Sequence, residues 1–273
     1  MMKSIKPQSC FTLPNSSHFI LHPSSFILHT FPPMLPSRII RCYRSMYLFT
    51  PAMVETEKRV KAGHGDWEHL FCNHYEQRDW VAENTPEWLE LYNFYPIDRQ
   101  REQAFRWLTV WKLGGFWLNT QLRPVTSLEP LRERPLVLAE KRKMPPQEFE
   151  ALHRMPWDAA MPKESLIRIS DMGFAAEAGH WFVQRVLDLL MERAGFLDTD
   201  FEPTQEEEAY TTGAGVVNAA WFSSLMDGRP VMAALLPAPR ERSTFRPPPE
   251  EPERAEEPEG FGEYGYRHTD LNG

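Results

Sequence analysis

Asn119 and Gln121 follow a short apolar run and stand at i and i+2. Alternate side chains of a strand share a face, so this spacing predicts two side-chain oxygens pointing the same way. Two oxygens on one face can hold a divalent cation or the phosphate-bearing part of a ligand. Hard dications prefer charged oxygens, and these amides carry none. Hydrogen bonding to hydroxyl or phosphate groups is therefore the chemistry expected of them. Arg101, Arg106 and Arg123 are the nearest cations by sequence to replace a metal. A second candidate is Thr212-Gly213-Ala214-Gly215, whose Gly213 and Gly215 let backbone amides approach a ligand closely. Cys10, Cys42 and Cys72 have no spacing that would make a zinc site or a disulfide framework, which fits a reducing cytoplasm.

The elements that must position these residues are legible around them. Across Arg101–Leu122, REQAFRWLTVWKLGGFWLNTQL, the residues Phe105, Leu108, Val110, Trp111 and Leu113 recur at helical spacing. Lys112 suits the carbonyl end of the helix dipole, and Gly114 is a helix stop. Gly115 lets the chain turn into Phe116-Trp117-Leu118, a buried strand expected to run to Leu122 and to end at Arg123-Pro124. Leu35–Arg41 and Asp66–Cys72 read as two earlier strands. Segments Glu76–Glu83 and Pro86–Tyr92 read as helices. A later helix carries Phe182, Val183, Val186, Leu187, Leu190 and Met191 on one face and stops at Gly195.

The chain has 273 residues, enough for one domain, and 42% hydrophobic residues with nine tryptophans can supply its core. A net charge of −8 argues against a nucleic-acid binder. No apolar run is long enough to span a bilayer. Four segments are expected. Residues 1–33 contain a near repeat, Ser17–Pro23 against Ser24–His29, and form an extension outside the folded body, with Met34 as the expected start. Residues 34–236 form the α/β domain. Residues 237–260 are a Pro/Glu-rich loop that reads as a solvated linker, because such a composition cannot bury enough apolar surface to fold alone. Residues 261–273 return to the same domain.

The segment Arg101–Leu122 resembles the core motif of family-32 glycosyltransferases, the capsular-polysaccharide and α-mannosyltransferase-like enzymes, whose pattern reads S-D-x-x-R-Y-x-x-L-x-x-x-G-G-x-Y-x-D-x-D. Arg106, Gly114 and Gly115 match it. Gln103, Asn119 and Gln121 stand where the family has aspartates, and Glu102 is displaced by one residue from the first of these positions. Weaker matches extend from Met34 to Gly273: Leu35–Arg41 at the opening, with Arg41-Cys42 for the family's His-Gln; Gly173–Ala176 with Gly179-His180; Thr212–Gly215; and His268. The resemblance implies a type-A glycosyltransferase fold, with a Rossmann-like, mostly parallel central sheet flanked by helices. It implies a retaining transferase that moves a hexose from a UDP- or GDP-sugar to a glycan or polysaccharide acceptor. Donor contacts would come from Arg106, Gln103, Asn119, Gln121, Gly114 and Gly115, and acceptor-side contacts from Gly213 and Gly215. The family's Mg²⁺ or Mn²⁺ is not expected here, since Asn119, Gln121 and His268 are only relics of its ligand positions. A catalytically silent sugar-nucleotide- or glycan-binding partner subunit is the alternative. The placement implied is cytoplasmic, with peripheral attachment at the inner membrane as a variant.

Overall fold

The computed structural model describes residues 34–153, 155–197, 201–228, 233–236 and 245–246. Strand β1, Arg38–Tyr43, leads through a 3₁₀ turn to α1, Pro51–Gly63, whose proline stands in the first turn behind the Thr50 cap. Then come β2, Glu68–Asn73, and α2, His74–Asn84. Asn73 and Glu76 close a capping box at the start of α2, so the strand passes directly into a helix. Next are α3, Leu89–Phe94; α4, Asp98–Leu113; β3, Gly115–Leu118; and the short β4, Arg123–Pro124. The second half holds β5, Leu136–Lys143; α5, Pro146–His153; β6, Ile167–Ala176; α6, Trp181–Ala194; α7, Gln205–Thr211; α8, Ala214–Met226; β7, Ala233–Leu236; and β8, Phe245–Arg246.

The main sheet has the order β2-β1-β3-β6-β5-β7. Strands β1, β2 and β3 are mutually parallel, as are β5 and β7, and β6 runs antiparallel to both of its neighbours. The fold is thus α/β with a mostly parallel mixed sheet, as the sequence predicts. Side-chain alternation assigns each strand to two cores. Ile40, Cys42, Trp117, Leu138 and Phe174 join the core that also holds Phe105, Trp107, Phe182, Val186 and Trp221. Ile39, Phe116, Leu118, Val137 and Ala175 join the core with Val60, Trp67 and Leu128. A sheet covered on both faces explains the near-continuous apolar strands. Trp107 stacks on Phe174 with ring centroids 3.9 Å apart and ties α4 to the middle of the sheet.

The glycine pair is required by geometry. Gly114 and Gly115 have φ of 66° and 111°. A Cβ on Gly114 would lie 2.9 Å from the Ala178 nitrogen, and one on Gly115 2.9 Å from the Arg38 oxygen. Only glycine lets α4 pass into β3 so close to its neighbours.

Several expectations are corrected. The central strand stops at Leu118 instead of running to Leu122. The helix before it begins at Asp98, three residues before the expected Arg101. Leu35 is buried yet precedes β1, where its N–H donates to the Arg132 carbonyl. Met191 is 50% exposed and does not share the buried face of α6. Within the Pro/Glu-rich run, Phe245–Arg246 pairs antiparallel with β4. The extension 1–33, the rest of 237–260, residues 261–273 and His268 lie outside the described residues. Among the described residues, no helix is long and apolar enough to cross a membrane.

Candidate functional site at the strand edge

Helix α4 starts beside the carboxyl ends of the parallel strands and runs back to feed β3 at its amino end through the glycine pair, where Arg38 at the start of β1 donates to the Leu113 carbonyl. Gln100, Gln103 and Arg106 recur every three residues, so they line one side of α4. All three reach the second half of the chain. Gln100 Nε2 donates to the Thr211 hydroxyl at 3.1 Å. Gln103 Nε2 donates to Glu208 Oε1 at 2.7 Å, and its Oε1 accepts from the Thr212 hydroxyl. Arg106 donates to the Asp171 carbonyl at 3.0 Å and to its carboxylate at 3.1 Å.

The pair Arg106–Asp171 is the electrostatic centre of this edge. Their side chains are 7% and 18% exposed. Burial pushes the Asp171 carboxyl up, but the Arg106 guanidinium more than offsets this and holds it below the usual carboxylate range. The Asp171 partnership comes from β6, whose Gly173 pairs with Leu118 and whose Met172 carbonyl accepts the Asn119 N–H at 2.8 Å. Asp171 and Asn119 are therefore brought together at the end of β3. Glu208 is a second buried carboxylate, shared between Gln103 and Arg99. The displaced acid Glu102 does not join them. It is partly buried near Cys42, Arg44 and Arg106, and burial pushes its carboxyl up.

The amide pair does not share a strand face. Residues 119–122 form a turn in which the Leu122 N–H donates to the Asn119 carbonyl. The Asn119 side-chain oxygen accepts the Gln121 N–H at 2.9 Å, an Asx turn. Gln121 is exposed. Arg41 grips the same turn from below: it donates to the carbonyls of Leu118, Asn119 and Leu122 and to the Glu57 carboxylate. Arg41 thus fixes the loop, while its neighbour Cys42 is buried in the opposite core.

These residues do not fit a divalent cation. The Asn119 oxygen is committed to its turn, and Asp171 and Glu208 are committed to arginines. Among the described residues, no group of three His, Cys, Asp or Glu side chains stands together as ligands.

Of the remaining expected cations, Arg101 is engaged, bonding to the Tyr95 carbonyl and Asp98. Arg123 stands in β4, with its Nε buried and unpartnered among the described residues. Gly213 and Gly215 serve packing. A Cβ on Gly213 would meet Ala209 Cα at 2.9 Å, and one on Gly215 the Ala209 oxygen at 2.6 Å, so they allow α7 to fold against α8. His180 caps α6, its Nδ1 accepting the Phe182 N–H at 3.1 Å.

Asp171 and Glu208 carry no local motif that the sequence reading used. They enter the site through contacts 65 and 105 residues away.

No family model matches this chain. A stretch of 72 residues is 28% identical to inositol phosphoceramide mannosyltransferase 3 of Schizosaccharomyces pombe, which covers 26% of this chain and 20% of the relative. The matched region is thus about a fifth of that protein's length. Among solved structures, the PaToxG glycosyltransferase aligns at a TM-score of 0.45 with 9% identity, over 72% of this chain and 75% of the other. Mouse xyloside xylosyltransferase 1 aligns at 0.40 with 10% identity, over 73% and 84%.

Proposed function

We propose that the chain is a glycosyltransferase-like protein of type-A architecture that binds a UDP- or GDP-hexose at the carboxyl edge of β1 and β3 without a divalent metal, and transfers the hexose with retention to a glycan acceptor. The observation that carries this reading is the buried pair Arg106–Asp171 beside Asn119, at the edge where open α/β sheets place their ligands. The short similarity to a mannosyltransferase supports it.

In this reading Arg106 acts through Asp171. Its guanidinium is buried and already bonded, so it orients the carboxylate instead of meeting the diphosphate. Asp171 accepts hydroxyls of the donor sugar, and the turn at Asn119 presents polar backbone to the same space. The exposed Arg44, which follows β1, supplies positive charge for the diphosphate as it leaves. Preorganised charge of this kind lowers a barrier when it meets charge that grows in the transition state.

The test is incubation with a panel of UDP- and GDP-hexoses in the presence of a chelator, with release of nucleoside diphosphate followed by chromatography. Release that is lost in Asp171→Asn while the variant remains folded by circular dichroism supports the reading. The absence of both binding and turnover with every donor overturns it. A second reading, a silent binding subunit, is favoured by the commitment of the Asn119 oxygen to its own turn. It predicts donor binding with no release.

A further inference from the structure

Away from the strand edge, a cavity of about 270 Å³ opens between α5, β6 and α7. It is lined by Ala151, Leu152, Ala209 and Tyr210 and by the charged residues Glu148, Arg168 and Glu206. Helix α7 separates this cavity from the strand-edge site. Glu206 and Tyr210 are four residues apart and share one side of the helix. Glu208, between them, points the other way to Gln103 and Arg99.

The polar groups are prearranged. The Glu148 carboxylate lies between two guanidiniums, accepting from Arg142 at 2.7 Å and Arg168 at 2.6 Å. Burial pushes this carboxyl up and the two arginines bring it below its ordinary range, so it is an ionised acceptor at neutral pH. Arg168 Nε is buried with no hydrogen-bond partner among the described residues, a donor whose desolvation nothing there offsets. On the apolar side, the Tyr210 ring is braced by the Arg193 guanidinium 4.1 Å from its centroid.

We propose that this cavity binds one pyranose ring of a neutral sugar. A flat aromatic ring beside fixed carboxylates and a guanidinium matches the two faces of a sugar, C–H groups against Tyr210 and hydroxyls against Glu148, Glu206 and Arg168. Pockets for drug-sized molecules begin at about 300 Å³, so this space matches a single ring better than a whole nucleotide sugar. The acidic groups also disfavour a phosphate. Resting on the transferase reading, the bound ring is an acceptor sugar remote from the reacting hydroxyl, because helix α7 stands between the cavity and the strand-edge site. Binding energy from such a remote unit helps to position the reacting one.

The experiment is a titration of the full chain, followed by amide NMR, with methyl glycosides of mannose, glucose and galactose and with a mannose disaccharide. UDP and GDP are titrated separately. Two variants go with it. Ala151→Trp fills the mouth from an exposed position, and Glu206→Gln removes an exposed carboxylate, so neither threatens the core. Shifts at Ala151, Arg168 and Ala209 are expected with at least one glycoside, weakened about tenfold or more by Ala151→Trp. Sugar binding that persists when neither nucleotide binds supports the cavity and removes the transferase reading. Nucleotide binding with no glycoside shift at the cavity overturns this inference and leaves that reading standing. Glycoside shifts confined to the strand edge, or unchanged in Ala151→Trp, also overturn it.

Discussion

A buried arginine–aspartate pair costs much more to break than to keep, because the surviving charge is stranded in a poor solvent. Arg106 and Asp171 are in that position. Asp171→Asn is expected to destabilise the fold by about 3–5 kcal/mol in urea unfolding at neutral pH. The pair also sets an acid limit. The Asp171 carboxyl is held below its ordinary value, so its contribution is fully present above the unfolded value, about 3.9, and is lost as pH falls through the lower folded value. Asp171→Asn should therefore flatten the loss of stability below about pH 4; an unchanged acid limb would separate that limb from this pair. Gln103 makes the opposite point. Its amide bridges an acceptor, Glu208, and a donor, Thr212, which a carboxylate cannot do. Gln103→Asp removes the bond to Glu208 and sets two carboxylates together. A fall in unfolding free energy of about 1–3 kcal/mol is expected, and an unchanged value would mean that the bridge is not formed.

The helix–glycine–glycine–strand unit was legible because each part is local: apolar periodicity for α4, glycines at its end, and an aromatic run for β3. Gly115→Ala forces a side chain into a positive φ against the Arg38 carbonyl. The expected cost is about 2–3 kcal/mol in thermal or urea unfolding, and a neutral effect would contradict the tight corner described here. The end of β3 was read less well. Asn119 is as good a turn former as a strand residue, and what decides between them is Arg41, whose grip on three carbonyls no local pattern reveals. Asp171 was missed for a related reason: β6 meets β5 with register irregularities, so its facing residues cannot be counted off from sequence. The sequence marks His180 only as part of a Gly-His match, and neither its capping of α6 nor its titration is a local pattern. Burial pushes this histidine down to about 4. Between its ordinary value, about 6.5, and about 4, the unfolded chain binds a proton that the folded one refuses, so stability falls as pH falls through that window. His153 is pushed down to about 4 as well, chiefly by burial and secondarily by Arg193, and acts in the same sense. His180→Asn replaces the capping Nδ1 with a side-chain oxygen acceptor and should remove up to about 1.4 kcal/mol per pH unit of that slope. An identical slope in wild type and variant would place the titration elsewhere.

At the scale of the molecule, the sheet presents one edge where residues from α4, β3, β6 and α7 converge, and a separate cavity on the far side of α7. The arrangement gives a coherent reason for the amides at Gln103 and Asn119. Each is satisfied by a neighbour, and the carboxylates of the edge are balanced by arginines instead of being left to a cation. The central claim is therefore donor binding that does not depend on metal. It is tested most directly by calorimetric titration of the full chain with UDP and GDP, once with a chelator and once with Mn²⁺. The account predicts binding of at least one nucleotide with affinities that agree within about twofold between the two conditions. Tightening of tenfold or more on adding Mn²⁺, worth about 1.4 kcal/mol, or the absence of binding in both, would contradict it.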